Sequence, residues 1–148
     1  MTDTHTPKHR DEIVRGLVRI GEKGIATEDD AALDAYFAQE FVLHGPGGDL
    51  DLPTLKAYFA AMRDAFADFT VTRGHVVVEG SFVAAQTTMA GVFEREFTQS
   101  PVGPLPPTGR RFTHHLINIF RYDETGRLSE EWAQYDSRAM LRQLGADE

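Results

Sequence analysis

The hydrophobic period of this chain changes once, near Phe69, from the spacing of helices to the alternation of strands. Before that point Ile13, Leu17 and Ile20, flanked by Val14 and Val18, form one helical stripe, and the spacing predicts a first helix from Glu12 to about Gly24. Acids open the stretch EDDAALDAYFAQEF, which places Leu33, Tyr36 and Phe37 on one side and reads as a short second helix. Gly45 to Pro53 is a loop by composition. Pro53 then suits the first position of a third helix carrying Leu55, Tyr58, Phe59, Met62 and Phe66 at i, i+3, i+4 spacing.

From Phe69 onward four alternating runs follow: FTVTRGHVVVEG, SFVAAQTTMAGVFEREF, RRFTHHLINIFRY and RLSEEWAQYD. Glu79-Gly80 and Asp123 to Gly126 read as hairpin connections, and Gln99 to Gly109 as a longer Pro-rich loop. SRAMLRQLG closes the chain as a short helix that Asp136 can cap and Gly145 can end. Helices first and antiparallel strands after them predict an α+β domain, its N-terminal helices packed on a strongly curved, mostly antiparallel sheet. Residues 12–148 read as one domain behind a flexible N-terminus, residues 1–11. Such a sheet leaves a pocket between itself and the helices, lined by alternate residues of each strand.

Composition narrows the function. At 41% apolar residues the chain can bury a core, and its net charge of −8 argues against a nucleic-acid binder, which needs clustered Lys and Arg. There is no cysteine, hence no thiolate nucleophile and no cysteine metal site. The first twelve residues lack the apolar core of a secretory signal, and no stretch is long enough for a membrane span, so the expected setting is cytoplasmic, with no membrane partner. His44, His75, His114 and His115 show no ligand spacing, and no phosphate loop or nucleophile elbow is present. Neither a metal nor another cofactor is expected.

Three stretches, ALDAYFAQEFVLHGP, LPPTGRRFT and INIFRYDETGRLSEEWAQYDSRAMLRQLG, resemble the SnoaL-like polyketide cyclases of the nuclear transport factor 2-like, cone-shaped fold. The resemblance runs from about Glu12 to Gly145 and is most specific in PPTGRRF and LRQLG. It implies ring closure by intramolecular aldol condensation without metal or cofactor, an Asp acting as acid/base with a His near it. Anchored on LRQLG and GRL, those two positions hold Ala133 and Asn118 in this chain. The expected function is therefore acid/base chemistry of a wider kind (isomerisation, dehydration, hydrolysis or ring closure) on an apolar, oxygenated small molecule, or ligand binding alone.

Alternation puts Phe112, His114, Leu116, Asn118 and Phe120 on one face, which the resemblance makes the pocket face. His114 is then a candidate base or hydrogen-bond donor, or a structurally bonded His near the strand start, and Asn118 a donor to a ligand carbonyl. His44, ahead of the Gly-Pro loop, is a candidate base at the pocket mouth or a His that satisfies loop backbone. Glu131, Ala133 and Tyr135 share a face, with Leu128 and Trp132 opposite if no bulge intervenes. Glu131 can replace the missing carboxylate if burial raises its pKa, or it is solvated or paired with a cross-strand Arg. Tyr36, Phe59, Met62, Phe66, Met89 and Phe93 are core residues by default and candidate ligand-binding ones. Arg110 and Arg111 are candidate rim cations. The outer face, with His115, Ile117 and Ile119, is expected to pair two copies into a homodimer.

Overall fold

The computed structural model describes residues 7–146 of the 148. Helix α1 (Pro7–Arg19) runs on into a π-helical turn (Ile20–Ile25) and is followed by α2 (Asp30–Tyr36), strands β1 (Phe37–Gly45) and β2 (Gly48–Asp51), and α3 (Leu52–Ala65). Strands β3 (Phe66–Glu79), β4 (Phe82–Phe93), β5 (Arg111–Tyr122) and β6 (Leu128–Tyr135) come next, and α4 (Ser137–Gln143) ends the fold. The six strands form one mixed, open sheet in the order β2-β1-β6-β5-β4-β3, antiparallel except for the parallel pair β1 and β6. This is an α+β cone. Among the described residues no helix is long and apolar enough to cross a membrane.

The helix boundaries obey local chemistry. Asp29, Asp51 and Asp136 each accept the backbone N–H three residues on, from Ala32, Thr54 and Ala139, at 3.0 Å, capping α2, α3 and α4. Gly145 (φ +81°) ends α4 in the left-handed conformation that a glycine adopts without a Cβ penalty. The Gln143 side chain exchanges two hydrogen bonds with the backbone of Thr113, which fastens α4 to β5.

Several boundaries differ from the sequence expectation. Helix α1 begins at Pro7 rather than Glu12, and the remaining residues expected to be flexible, 1–6, lie outside the described ones. The second helix stops at Tyr36, and Phe37–Gly45 is a strand. Phe37 and Phe41 have the i, i+4 spacing of a helix, yet Phe37 pairs with β6, Val42, Leu43 and His44 pair with β2 on one side and β6 on the other, and the strand buries Phe41 and Leu43. Half of the expected loop, Gly48–Asp51, is the hairpin partner of β1. Phe66 opens β3 instead of ending α3. Leu128, expected opposite the cavity, is buried with the inward set because the β5–β6 register shifts between Arg121 and Tyr122.

Curvature comes from β3. Its register on β4 shifts between Ala67 and Thr70, where Asp68 takes φ +53°, and again between Arg73 and Val76. The first irregularity presses on Gly91, where a Cβ would stand 2.8 Å from the Phe66 Cβ and 3.0 Å from the Ala67 carbonyl oxygen. Only glycine allows this approach. Phe66, Phe93, Phe97 and Phe112 pack together there as fully buried rings, Phe66 stacking on Phe112 with centroids 4.7 Å apart.

Candidate active site

Between the concave face of the sheet and helices α1, α2 and α3 lies a mostly apolar cavity of about 90 Å³. Leu17, Ile20, Leu55 and Phe59 face it from the helices, and Met89, Leu116 and Phe120 from the sheet. That space holds a few waters or one small ring, well under the roughly 300–1,000 Å³ of most ligand pockets. A larger ligand has to be admitted by rotamer changes of flexible lining residues such as Met89.

Polar groups in this cavity form one line. Four neighbouring strands each contribute one inward side chain: Arg73 from β3, Thr87 from β4, Asn118 from β5 and Glu131 from β6. Arg73 stands directly opposite Thr87, while the next two steps are diagonal, since Asn118 is in register with Ala85 and Ala133. Arg73 Nη1 donates to Thr87 Oγ1 (2.7 Å), Thr87 Oγ1 donates to Asn118 Oδ1 (2.6 Å), and Asn118 Nδ2 donates to Glu131 Oε2 (2.8 Å). Every donor points toward the carboxylate. Thr87, Asn118 and Glu131 are all buried.

The cavity separates the titrations of its members. Burial pushes the Glu131 carboxyl up to about 7, against the opposing pull of Arg73 and the Asn118 hydrogen bond. His114, 4% exposed, is drawn down to about 4, first by burial and then by the neighbouring His115, so it is neutral at pH 7. Its ring lies between Phe112 and Tyr135, with centroids 5.8 and 4.7 Å away, and its nitrogens have no hydrogen-bond partner among the described residues. At the other end the Tyr36 and Tyr122 hydroxyls are hydrogen-bonded to each other, and burial raises both, Tyr36 to about 12. A carboxyl near 7 in an apolar cavity is suited to taking and returning a proton at neutral pH.

The family model of the SnoaL-like polyketide cyclases matches residues 17–144. The chain belongs to this family. Solved structures agree on the fold: a candidate SnoaL-like polyketide cyclase of Jannaschia sp. CCS1 superposes with TM-score 0.78 at 18% identity, covering 99% of this chain and 100% of that one. IdmH of Streptomyces antibioticus, a candidate polyketide cyclase, is 28% identical with TM-score 0.70 over 91% of this chain and 97% of its own. A Catenulispora acidiphila protein with a ketosteroid isomerase-like fold, bound to trimethylamine, gives 0.64 at 15% identity over 90% and 92%. No curated protein is similar enough to count as a relative.

In this SnoaL-like chain the cavity brings together His114, Asn118, Tyr36, Phe59, Met89, Glu131, Ala133 and Tyr135 from the sequence-stated candidates. Asn118 and Ala133 are direct cross-strand partners, so the two positions that the resemblance assigns to the acid/base pair do face each other. Met62, Phe66 and Phe93 do not line the space; they are buried behind it in the aromatic core. Arg110 and Arg111 are exposed and outside the lining.

His44 is a correction. It alternates with the buried Phe41 and Leu43 and so faces outward, where Nδ1 meets Asp49 at 2.8 Å and Nε2 meets Glu130 at 2.7 Å. The cross-strand partner of Arg121 is likewise Glu130, not Glu131. Sequence reasoning missed Arg73 and Thr87. Both lie in alternating runs, and the inward phase of the β3 run, with Val71 buried and Arg73 two residues on, was the available signal.

Proposed function

We propose that the chain acts on an apolar, oxygenated small molecule held in the cone, by acid/base chemistry that needs no cofactor. Glu131 is the acid/base group, and His114 and Asn118 are polar contacts. The observation that carries this reading is the position of Glu131: a buried carboxyl poised near 7, held by Asn118 and two residues along β6 from Ala133. In the carbanion route, Glu131 takes a proton from carbon next to a ligand carbonyl, leaving an enolate and a neutral carboxylic acid. Returning that proton to another carbon gives isomerisation, and returning it to the alkoxide formed by enolate attack on a second carbonyl gives ring closure. No redox partner is required.

The test is to incubate the protein with a pool of aromatic polyketones, recover what it captures, and compare mass and retention time before and after. Conversion by the wild type, lost in Glu131→Gln with capture retained, supports the reading. Capture without any change makes the chain a ligand-binding protein, the alternative favoured by Asn118 and Ala133 at the acid/base positions. As part of the same proposal the outer face pairs two copies: Val77, Phe82, Ile117, Ile119 and Trp132 form an exposed apolar patch there. Ile119→Lys then yields a monomer by light scattering, and a wild type already monomeric at micromolar concentration rejects the pairing.

A further inference from the structure

Two charged side chains line the cavity, and their neighbours serve them differently. Glu131 receives the Asn118 amide. Arg73 donates only to neutral oxygens, from Nε to the Leu17 carbonyl (3.3 Å) and from Nη1 to Thr87, and its guanidinium lies 5.5 Å from the Phe120 ring centre. No carboxylate stands within 4.0 Å of it among the described residues. Nη2, with two N–H groups, has no hydrogen-bond partner among them either.

On a surface such an Arg would simply be hydrated. Here the residue is half-buried on an edge strand, its guanidinium borders an apolar cavity, and the unpartnered Nη2 keeps an accessible edge; partial desolvation of a cation with no bonded counter-ion is costly. Glu131 acts on Arg73 only through space, because Thr87 and Asn118 separate the two along the ladder, and it makes no direct ion pair while it holds Asn118. The remaining place for an anion is the cavity itself.

We propose that Arg73 is an oxyanion subsite: the ligand carries an ionised oxygen acid, either a carboxylate or the enolate of a 1,3-dicarbonyl, on a small apolar body, and that oxygen sits on the Nη2 edge of the guanidinium. The proposal rests on the cone being the ligand site, and not on Glu131 acting as the base. For an enolate the two fit together, the carbon-bound proton passing to Glu131 and the charge left on oxygen being held by Arg73.

Calorimetry with phenylacetate and its neutral isostere phenylacetamide, at pH 6 where Glu131 is mostly protonated, tests the carboxylate arm. The wild type binds the acid about tenfold tighter than the amide, as one charge-assisted contact would give. Arg73→Met abolishes that preference and leaves the amide unchanged, whereas Arg73→Lys keeps part of it. The enolate arm uses 1-phenyl-1,3-butanedione, whose enolate band appears in the complex at a pH where the free diketone is un-ionised, and disappears with Arg73→Met. Acid preference alone assigns a carboxylate, the band alone an enolate, and both together the shared oxyanion. Equal binding of acid and amide with no enolate band, no binding of any probe, or either signal surviving Arg73→Met overturns the subsite. If Arg73→Met fails to fold, the wild-type acid-to-amide ratio and Arg73→Lys decide. Glu131→Gln keeps the acid preference even though it stops turnover, so failure of the base and failure of the subsite are read separately.

Discussion

Asn118 Nδ2 donates to Glu131 Oε2 over 2.8 Å, and the same amide accepts the Thr87 hydroxyl through Oδ1, so both ends of one Asn are committed before any ligand arrives. With Glu131 ionised, the network sets the amide with its oxygen toward Thr87 and its nitrogen toward the carboxylate. It also ties the protonation of Glu131 to a residue on the adjacent strand.

Replacing Asn118 by Ala removes the donor that favours ionised Glu131. The expected result is a loss of about 1–3 kcal/mol of stability, from a buried hydroxyl and carboxyl left short of a partner. The apparent pKa of Glu131 rises above about 7, so the limb of the pH–rate profile that reports ionisation of the base moves to higher pH. An unmoved limb would show that Asn118 does not reach the base.

Glu131→Gln keeps shape and hydrogen bonding but cannot take a proton. A fall in turnover of about 10²–10⁴-fold is expected, with an unchanged circular dichroism spectrum. Turnover within a few-fold of wild type would move the acid/base role to another group.

Stability against pH separates the two buried titrating groups. Glu131 is raised in the folded state, so the folded chain binds the extra proton and stability falls as pH climbs from about 4.5 to about 7, by about 3 kcal/mol at most. His114 is lowered, so its contribution runs the other way, with stability lost as pH falls from 6.5 toward about 4. Between roughly 4.5 and 6.5 the two slopes oppose each other and these contributions largely cancel. Chemical denaturation across that window should show His114→Phe gaining stability on acidification relative to wild type, and Glu131→Gln losing it. Parallel curves for all three proteins would refute the assignments.

His44 and Trp132 give a signal on the outer face. Their rings are 5.4 Å apart, Trp132 is the only tryptophan, and the hydrogen bonds that His44 donates to Asp49 and then Glu130 raise its pKa above 6.5. Protonated imidazole quenches indole, so tryptophan emission should rise with pH through a midpoint above 6.5. His44→Gln should abolish that step. A step that persists in His44→Gln would belong to another group.

Much of the fold was legible because its signals are local. The stripe of Leu55, Phe59 and Met62, the caps at Asp51 and Asp136, and the alternation of β5 all follow from one segment and its immediate neighbours. Phe37–Phe41 was misread as helix for the opposite reason. The spacing of Phe37 and Phe41 suits a helix as well as a strand, and pairing with β6, far along the chain, decided between them. Leu128 was misplaced by a single register shift, which reverses a side chain without leaving a mark on composition.

The site divides in the same way. Sequence by itself determined the family, the α+β order, and the phase that turns His114 and Asn118 inward with Glu131 on the next strand, because period and motif are properties of adjacent residues. Only the tertiary structure decided that Arg73, Thr87, Asn118 and Glu131 form one directed chain across four strands, and that His44 stands outside the cavity. Strand order, bulges and diagonal register place those side chains, and they arise from pairings between segments whose separation along the chain hides their contact.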